Sequence, residues 1–169
     1  AVGNDLKPKV RCIVQLANHG CGHPDLGLFS ADQFQRATDT DPLPGHKPSS
    51  GVIEAKATSA DVSKTAQSDQ VEKYLGAYGV VLVTNFRDFL LVGRDPVSGA
   101  ATELESFSLA ADESAFWREA AHPRKMAKAL GDRLTDFLRR VMLHSAPLLL
   151  PGDVAWFLAS YARESLARV

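Results

Sequence analysis

The heptapeptide Gly51-Val52-Ile53-Glu54-Ala55-Lys56-Ala57 decides how the rest of the chain is read. It alternates with period two, the signature of a β-strand. Val52, Glu54 and Lys56 share one face, while Ile53, Ala55 and Ala57 share the other. Such a strand sets a carboxylate and an ammonium about 7 Å apart along one face and points both in front of a sheet. An E-x-K tripeptide alone is weak, and a salt bridge on an exposed strand is the plain alternative. Its surroundings therefore matter.

Upstream, Pro24-Asp25-Leu26-Gly27-Leu28-Phe29 follows a Gly-rich turn and reads as the start of a short strand. Residues 30–50 are dense in Asp, Pro, Gly and Ser and read as a polar surface loop, with a short helical turn near Ala31 to Arg36. The two strands are then expected as hairpin neighbours. Before residue 20 no clear period appears. Downstream, Ser63 to Ala77 has helical spacing, with Ala66, Val71, Tyr74, Leu75 and Ala77 on an inner face. Tyr78 to Thr84 is a β-branched run typical of a buried strand. Asn85-Phe86-Arg87-Asp88 turns into a strand over Phe89 to Val92, Gly93 to Gly99 is a further turn, and Thr102 to Leu109 alternates as a fifth strand.

From Asp112 the pattern turns helical. A short helix carries Phe116, Trp117 and Ala120, and a second runs from Pro123 to about His144. Pro147 to Pro151 breaks it, and Gly152-Asp153 is expected to cap a last helix carrying Trp156, Phe157, Leu158, Tyr161 and Leu166. The fold class is therefore α/β (α+β), a mixed sheet of four or five strands flanked by helices. Residues 1–110 form its core, and 111–169 form a helical C-terminal section, either part of the same domain or a connector to a partner domain.

At 169 residues the chain has room for one domain with a real core, and not for two comfortable ones. Hydrophobic residues at 45% and charged residues at 23% place it among ordinary soluble globular domains. No apolar run approaches the roughly 20 residues that cross a bilayer. The start shows no basic segment followed by a hydrophobic one, so neither a membrane nor secretion is expected, and a cytoplasmic location is. The first residue is Ala rather than Met, which suggests processing or excision from something longer.

The net charge of −1 does not announce a nucleic-acid binder, although a grip on DNA needs only local cations. Arg118, Arg124, Lys125, Lys128, Arg133, Arg139 and Arg140 fall in one C-terminal stretch, read first as a solvated helix face. Cys12, His19, Cys21 and His23 form a small group, but the paired C-x(2–4)-C spacing of zinc sites is absent, so reduced thiols are expected. Trp117, Trp156, Phe157 and Tyr161 are read as core.

A carboxylate at Glu54 can hold a hard cation, and Mg²⁺ prefers oxygen ligands while keeping several waters. An ion there would lower the pKa of a bound water and neutralise a phosphate during in-line displacement. Lys56 could orient or deprotonate that water, or stabilise the pentavalent phosphate. A second carboxylate should come from a neighbouring strand, and Asp25 fits. Asp39 and Asp41 are rivals nearer in sequence, but they lie in the Pro-rich part of the loop, where nothing in the sequence fixes them, and sites need rigid support.

Asp25, then Gly51-Val52-Ile53-Glu54-Ala55-Lys56, then Gln70-Val71-Glu72-Lys73-Tyr74, then Leu82-Val83-Thr84-Asn85-Phe86-Arg87-Asp88-Phe89 resembles the PD-(D/E)XK nuclease domains of fused restriction–methyltransferase proteins, the type I single-polypeptide and type IIG or IIL restriction enzymes. The resemblance covers residues 24 to about 92. It implies a restriction-endonuclease-like fold and Mg²⁺-dependent cleavage of double-stranded DNA, with Mn²⁺ able to substitute. Asp25 and Glu54 would be the metal ligands, Lys56 the catalytic lysine and Gln70 a supporting active-site residue. The implied setting is restriction–modification or other anti-phage defence. A methyltransferase or specificity region would lie in the same parent polypeptide, and a transient dimer would form for double-strand cleavage. The long loop between Asp25 and Glu54 departs from the shorter hairpin usual in that family. Two rivals stand beside this reading: a nuclease-like module that binds DNA or assembles without cutting, and an interaction domain that uses its C-terminal aromatic helices.

Overall fold

Six strands lie side by side in one sheet, in the order in which the chain makes them: β1 (Val10–Val14), β2 (Leu26–Ser30), β3 (Val52–Ala55), β4 (Val81–Thr84), β5 (Asp88–Arg94) and β6 (Ala101–Ser108). The computed structural model describes residues 2–6, 9–14, 16, 20–144 and 151–167, apart from the side chains at 4, 5, 153 and 164. Every adjacent pair is antiparallel except β3 and β4. A parallel pair needs a crossover, because the first strand ends at the edge opposite the start of the next. Helices α1 (Val62–Ala66) and α2 (Asp69–Tyr78) make that crossover. The C-terminal ends of β3 and β4 and the N-terminal end of β2 consequently share one edge of the sheet.

Six strands replace the four or five expected. The addition is β1, which pairs with β2 from Val10↔Ser30 to Val14↔Leu26 at the sheet's margin. Its sequence, Val-Arg-Cys-Ile-Val, puts apolar residues on both faces, so no alternation marks it as a strand. The helix expected over Ser63 to Ala77 is two helices. The Asp61 side chain caps the first through the Ser63 and Lys64 N–H groups, and the Ser68 hydroxyl caps the second through the Val71 N–H. Tyr78 belongs to the last turn of α2 and not to the following strand, and Gly79 at φ 78° ends that helix.

Helices cover both faces of the sheet, which is why all four residues of β4 are buried. On one face, Phe29, Val52, Val81, Val83, Leu90 and Val92 pack against Ala66, Val71, Tyr74, Leu75 and Tyr78. On the other, Leu28, Leu82, Leu91 and Phe107 meet Phe137, Val141 and Leu143 of α4 (Pro123–Leu143). Trp156 and Phe157 of α5 (Pro151–Leu166) pack at the margin of that second cluster. Full burial of such side chains contributes about 1.5–3 kcal/mol each. The rings of Phe89, Phe107 and Phe137 form a triangle with centroids 5.6–6.5 Å apart.

The last helix starts at Pro151, so Gly152 and Asp153 lie within its first turn and not ahead of it. The expected break lies mostly at 145–150, outside the described residues. Trp117 and Tyr161 are exposed, not core, and Trp156 and Phe157 are half-buried. The basic run is not one solvated face either. Arg140 is buried and ion-paired to Glu105, Arg139 lies over Trp156, and Arg133 lies over Phe107. Only Arg118, Arg124, Lys125 and Lys128 of that run are exposed.

Candidate active site

The edge where β3 and β4 end gathers a set of polar side chains. The parallel ladder runs one step beyond β3, where the Lys56 N–H donates to the Thr84 carbonyl at 2.8 Å. That bond holds Lys56 in the extended line that puts it on the Glu54 side of the strand. Glu54 stands in register with Val83 and is 6% exposed. Its Oε1 accepts a hydrogen bond from Lys56 Nζ at 2.6 Å. Its Oε2 is buried with no partner. A buried carboxylate oxygen without a donor is costly, and in a native fold it calls for an explanation such as a bound ion.

Asp25 meets Glu54 through the sheet register. Leu26 pairs with Ile53, so the next rung sets Asp25 opposite Glu54 on the side covered by α2. Asp25 Oδ2 accepts the Ala55 N–H at 2.8 Å, continuing the β2–β3 ladder by a side chain. The rivals are engaged elsewhere. Asp39 Oδ2 accepts the Arg36 N–H at 2.9 Å, and Asp41 accepts the Thr40 hydroxyl at 3.1 Å.

The long loop that carries those rivals is firmly held, contrary to the expectation that nothing fixes it. Gln33 is buried, donates to the Lys47 carbonyl at 2.6 Å and accepts from the Ser30 and Ser49 N–H groups. Arg11 donates to the Asp39 and Ala37 carbonyls. The Asp39 and Asp41 carboxylates are hydrogen-bonded within their own turn, in a loop that is held and not loose.

From α2, Gln70 and Tyr74 come down on the same point, as their four-residue spacing requires. The Gln70 amide donates to the Cys21 carbonyl at 2.7 Å, on the same helix face as Tyr74. Burial first, and then the negative charges of Glu54, Asp25 and Cys21, push the Tyr74 hydroxyl up to about 12. One buried phenol thus senses both carboxylates, which is the electrostatic mark of their convergence.

Several contributors escaped sequence reasoning. Gly20-Cys21-Gly22, read as part of a Cys/His group, forms a wall of this site. Gly22 sits at φ 108°, and a Cβ there would come within 2.6 Å of Gln70 Nε2. Cys21 Sγ lies 3.3 Å from the Tyr78 hydroxyl. Cys12 pairs with Leu28, whose side chain faces the α4 side, so the two cysteines lie on opposite sides of the sheet. His23 Nδ1 is 3.3 Å from the Leu16 carbonyl, and His19 lies outside the described residues.

Asn85 is the second such contributor, and it is completely buried. It donates to the Thr58 and Ala60 carbonyls and accepts from the Arg87 and Asp88 N–H groups, tying the loop after Lys56 to the β4–β5 turn. The Thr58 hydroxyl donates to Glu113 at 2.9 Å, fixing the same loop to α3 (Glu113–Ala120). In the sequence Asn85 stands only as the residue after Thr84 in the stretch Leu82 to Phe89, with no role attached to it.

Among the described residues no group of three or more His, Cys, Asp or Glu side chains is placed to hold a metal. Asp25 and Glu54 offer two carboxylates, one with a buried oxygen in want of a partner. Two hard oxygen donors on rigid strands suit a cation that retains much of its water, as Mg²⁺ does. Compared with protein-family models, curated proteins and solved structures, the chain has no significant match, so the functional reading rests on these residues.

Proposed function

We propose that the chain is a Mg²⁺-dependent deoxyribonuclease domain of the PD-(D/E)XK type, on a restriction-endonuclease-like fold, hydrolysing phosphodiester bonds of double-stranded DNA. The observation that carries this reading is Glu54, a buried carboxylate with one oxygen on Lys56 and the other unpartnered, facing Asp25 across the register.

Asp25 and Glu54 would hold Mg²⁺, or Mn²⁺ in its place. When bound, the ion supplies an acidified water and charge neutralisation at the phosphate. Lys56 keeps its amine at the open side of the site, with 42% of the side chain exposed, where it can meet solvent and substrate. There it orients the attacking water and stabilises charge on the phosphate oxygens. Gln70 is a positioning residue that holds the Cys21 wall behind the carboxylates. In this reading the parent protein serves restriction–modification or another anti-phage defence in the cytoplasm. A methyltransferase or specificity region accompanies the nuclease, and two copies meet transiently to cut both strands. No helix of the described residues is long and apolar enough to cross a membrane.

The test is nicking of supercoiled plasmid in Mg²⁺ against EDTA. Cleavage is expected in Mg²⁺ only, and Glu54→Gln should abolish it. Plasmid left intact by the wild type in both Mg²⁺ and Mn²⁺ overturns the reading; if the plasmid is bound but uncut, the chain is a nuclease-like binding module.

A further inference from the structure

Once Arg133, Arg139 and Arg140 are accounted for by Phe107, Trp156 and Glu105, the basic run reduces to one corner of the molecule. There α3 ends and α4 begins, and the corner presents Arg118, Arg124, Lys125 and Lys128. All four are exposed, and none has an ion-pair partner among the described residues. Glu119 is the single carboxylate in residues 118–128, so four cations face one anion, a local charge of +3 in a chain of net charge −1. Arg118, Glu119, His122 and Lys125 line a groove of about 400 Å³ whose apolar wall is Met126, Ala129 and Leu130. Three arginines elsewhere are ion-paired: Arg94 with Glu72, Arg87 with Asp88 and Arg163 with Asp136. Unmatched like charges repel one another, so their concentration at one corner suits a polyanionic partner.

The corner is also tied to the candidate site. Glu113, the first residue of α3, accepts the hydroxyl of Thr58, two residues beyond Lys56. From Glu113 to the corner is one eight-residue helix, roughly 12 Å at 1.5 Å per residue. The positive end of the 21-residue α4 adds to the same field.

We propose that the α3–α4 corner, through Arg118, Arg124, Lys125 and Lys128, grips the phosphate backbone of duplex DNA flanking the cleaved bond. This rests on the nuclease reading above and supplies the grip that the overall charge does not reveal. The cations meet backbone phosphate, so they add affinity without sequence preference.

The test uses a fluorescein-labelled DNA duplex in EDTA, with affinity measured by anisotropy across a range of KCl concentrations, for the full chain and for Arg124→Gln/Lys125→Gln/Lys128→Gln. These three side chains are exposed, and circular dichroism would verify that the variant is folded. Each phosphate that is no longer neutralised lowers the slope of log affinity against log salt by about 0.9, so the triple variant should bring that slope down by roughly two to three and bind at least about tenfold more weakly at low salt. Unrelated duplex sequences should weaken equally. Wild-type affinity and slope in the variant would overturn the proposal. Plasmid cutting in Mg²⁺ reads the nuclease assignment separately: an uncut plasmid with a reduced salt slope refutes catalysis and keeps the grip, and normal cutting with an unchanged slope does the reverse.

Discussion

The two faces of the sheet each carry a buried carboxylate paired with a cation, and the two pairs are built differently. On the α4 side, Glu105 of β6 accepts Nε and Nη2 of Arg140 from α4, and Arg140 in turn lies against Tyr161 of α5. The Arg140 side chain is 1% exposed, and its guanidinium is 4.9 Å from the centre of the Tyr161 ring. That pair joins three elements distant in sequence. On the α2 side, Glu54 and Lys56 are two residues apart on one strand, and their bond ties no other element in place. The lysine is open to solvent, and one oxygen of the glutamate lacks a donor. Arg140 Nη1 is also buried without a partner, so the contrast lies in reach and exposure: a charge pair that holds a fold together connects elements, and a pair left local at an open edge suits chemistry.

The largest effect should come from breaking the first pair. Arg140→Ala leaves Glu105 and its neighbours buried without a counter-charge and should lower stability by about 3–5 kcal/mol. The double replacement Arg140→Met with Glu105→Leu should recover most of it, since an apolar pair of similar volume is often as stable. Urea unfolding of the two variants checks this. A loss under about 1 kcal/mol in Arg140→Ala would erase the contrast between the pairs.

Breaking the second pair should act mainly on cleavage. Lys56→Ala should cost less stability than Arg140→Ala, about 1–3 kcal/mol for the donor lost by the buried Glu54, because the lysine itself is open to solvent. Plasmid cleavage should fall by a factor of order 10² or more, about 2.7 kcal/mol of transition-state stabilisation. Single-turnover cleavage and thermal unfolding of one preparation measure both. Normal cutting by Lys56→Ala would remove it from the site, and a collapse in stability would make it a structural partner like Arg140.

The smallest effect is invisible at neutral pH and sharpens the picture of the α2 side. Tyrosine in an unfolded chain ionises near 10, whereas Tyr74 in the fold is held up to about 12 by burial, Glu54 and Asp25. The folded state therefore binds this proton more tightly. The resulting stability is complete below about pH 10 and is lost as pH rises through 12. Tyr74→Phe should reduce the fall in melting temperature across that window. The residual slope should reflect Tyr78, which burial and Cys21 also push up. An unchanged alkaline slope in Tyr74→Phe would mean that its hydroxyl does not sense the two carboxylates.

Much of this molecule is legible in its sequence, because local rules act within a few residues. Alternation at 51–57 marks β3 and sets Glu54 and Lys56 on one side. A run rich in β-branched residues marks β4, and four-residue spacing aligns Gln70 with Tyr74. Other features depend on partners far along the chain. The strand β1 exists because β2 offers it an edge, and the engagement of Asp39 by its own turn appears only once Gln33 and Arg11 have folded the loop. Arg140 reads like its exposed neighbours until Glu105, 35 residues away, buries it. The sequence by itself determined which residues can carry charge to the edge of β3. Tertiary structure alone decided which charges are neutralised and which stay open, because pairing at a distance depends on sheet register and helix packing, and no local period encodes either.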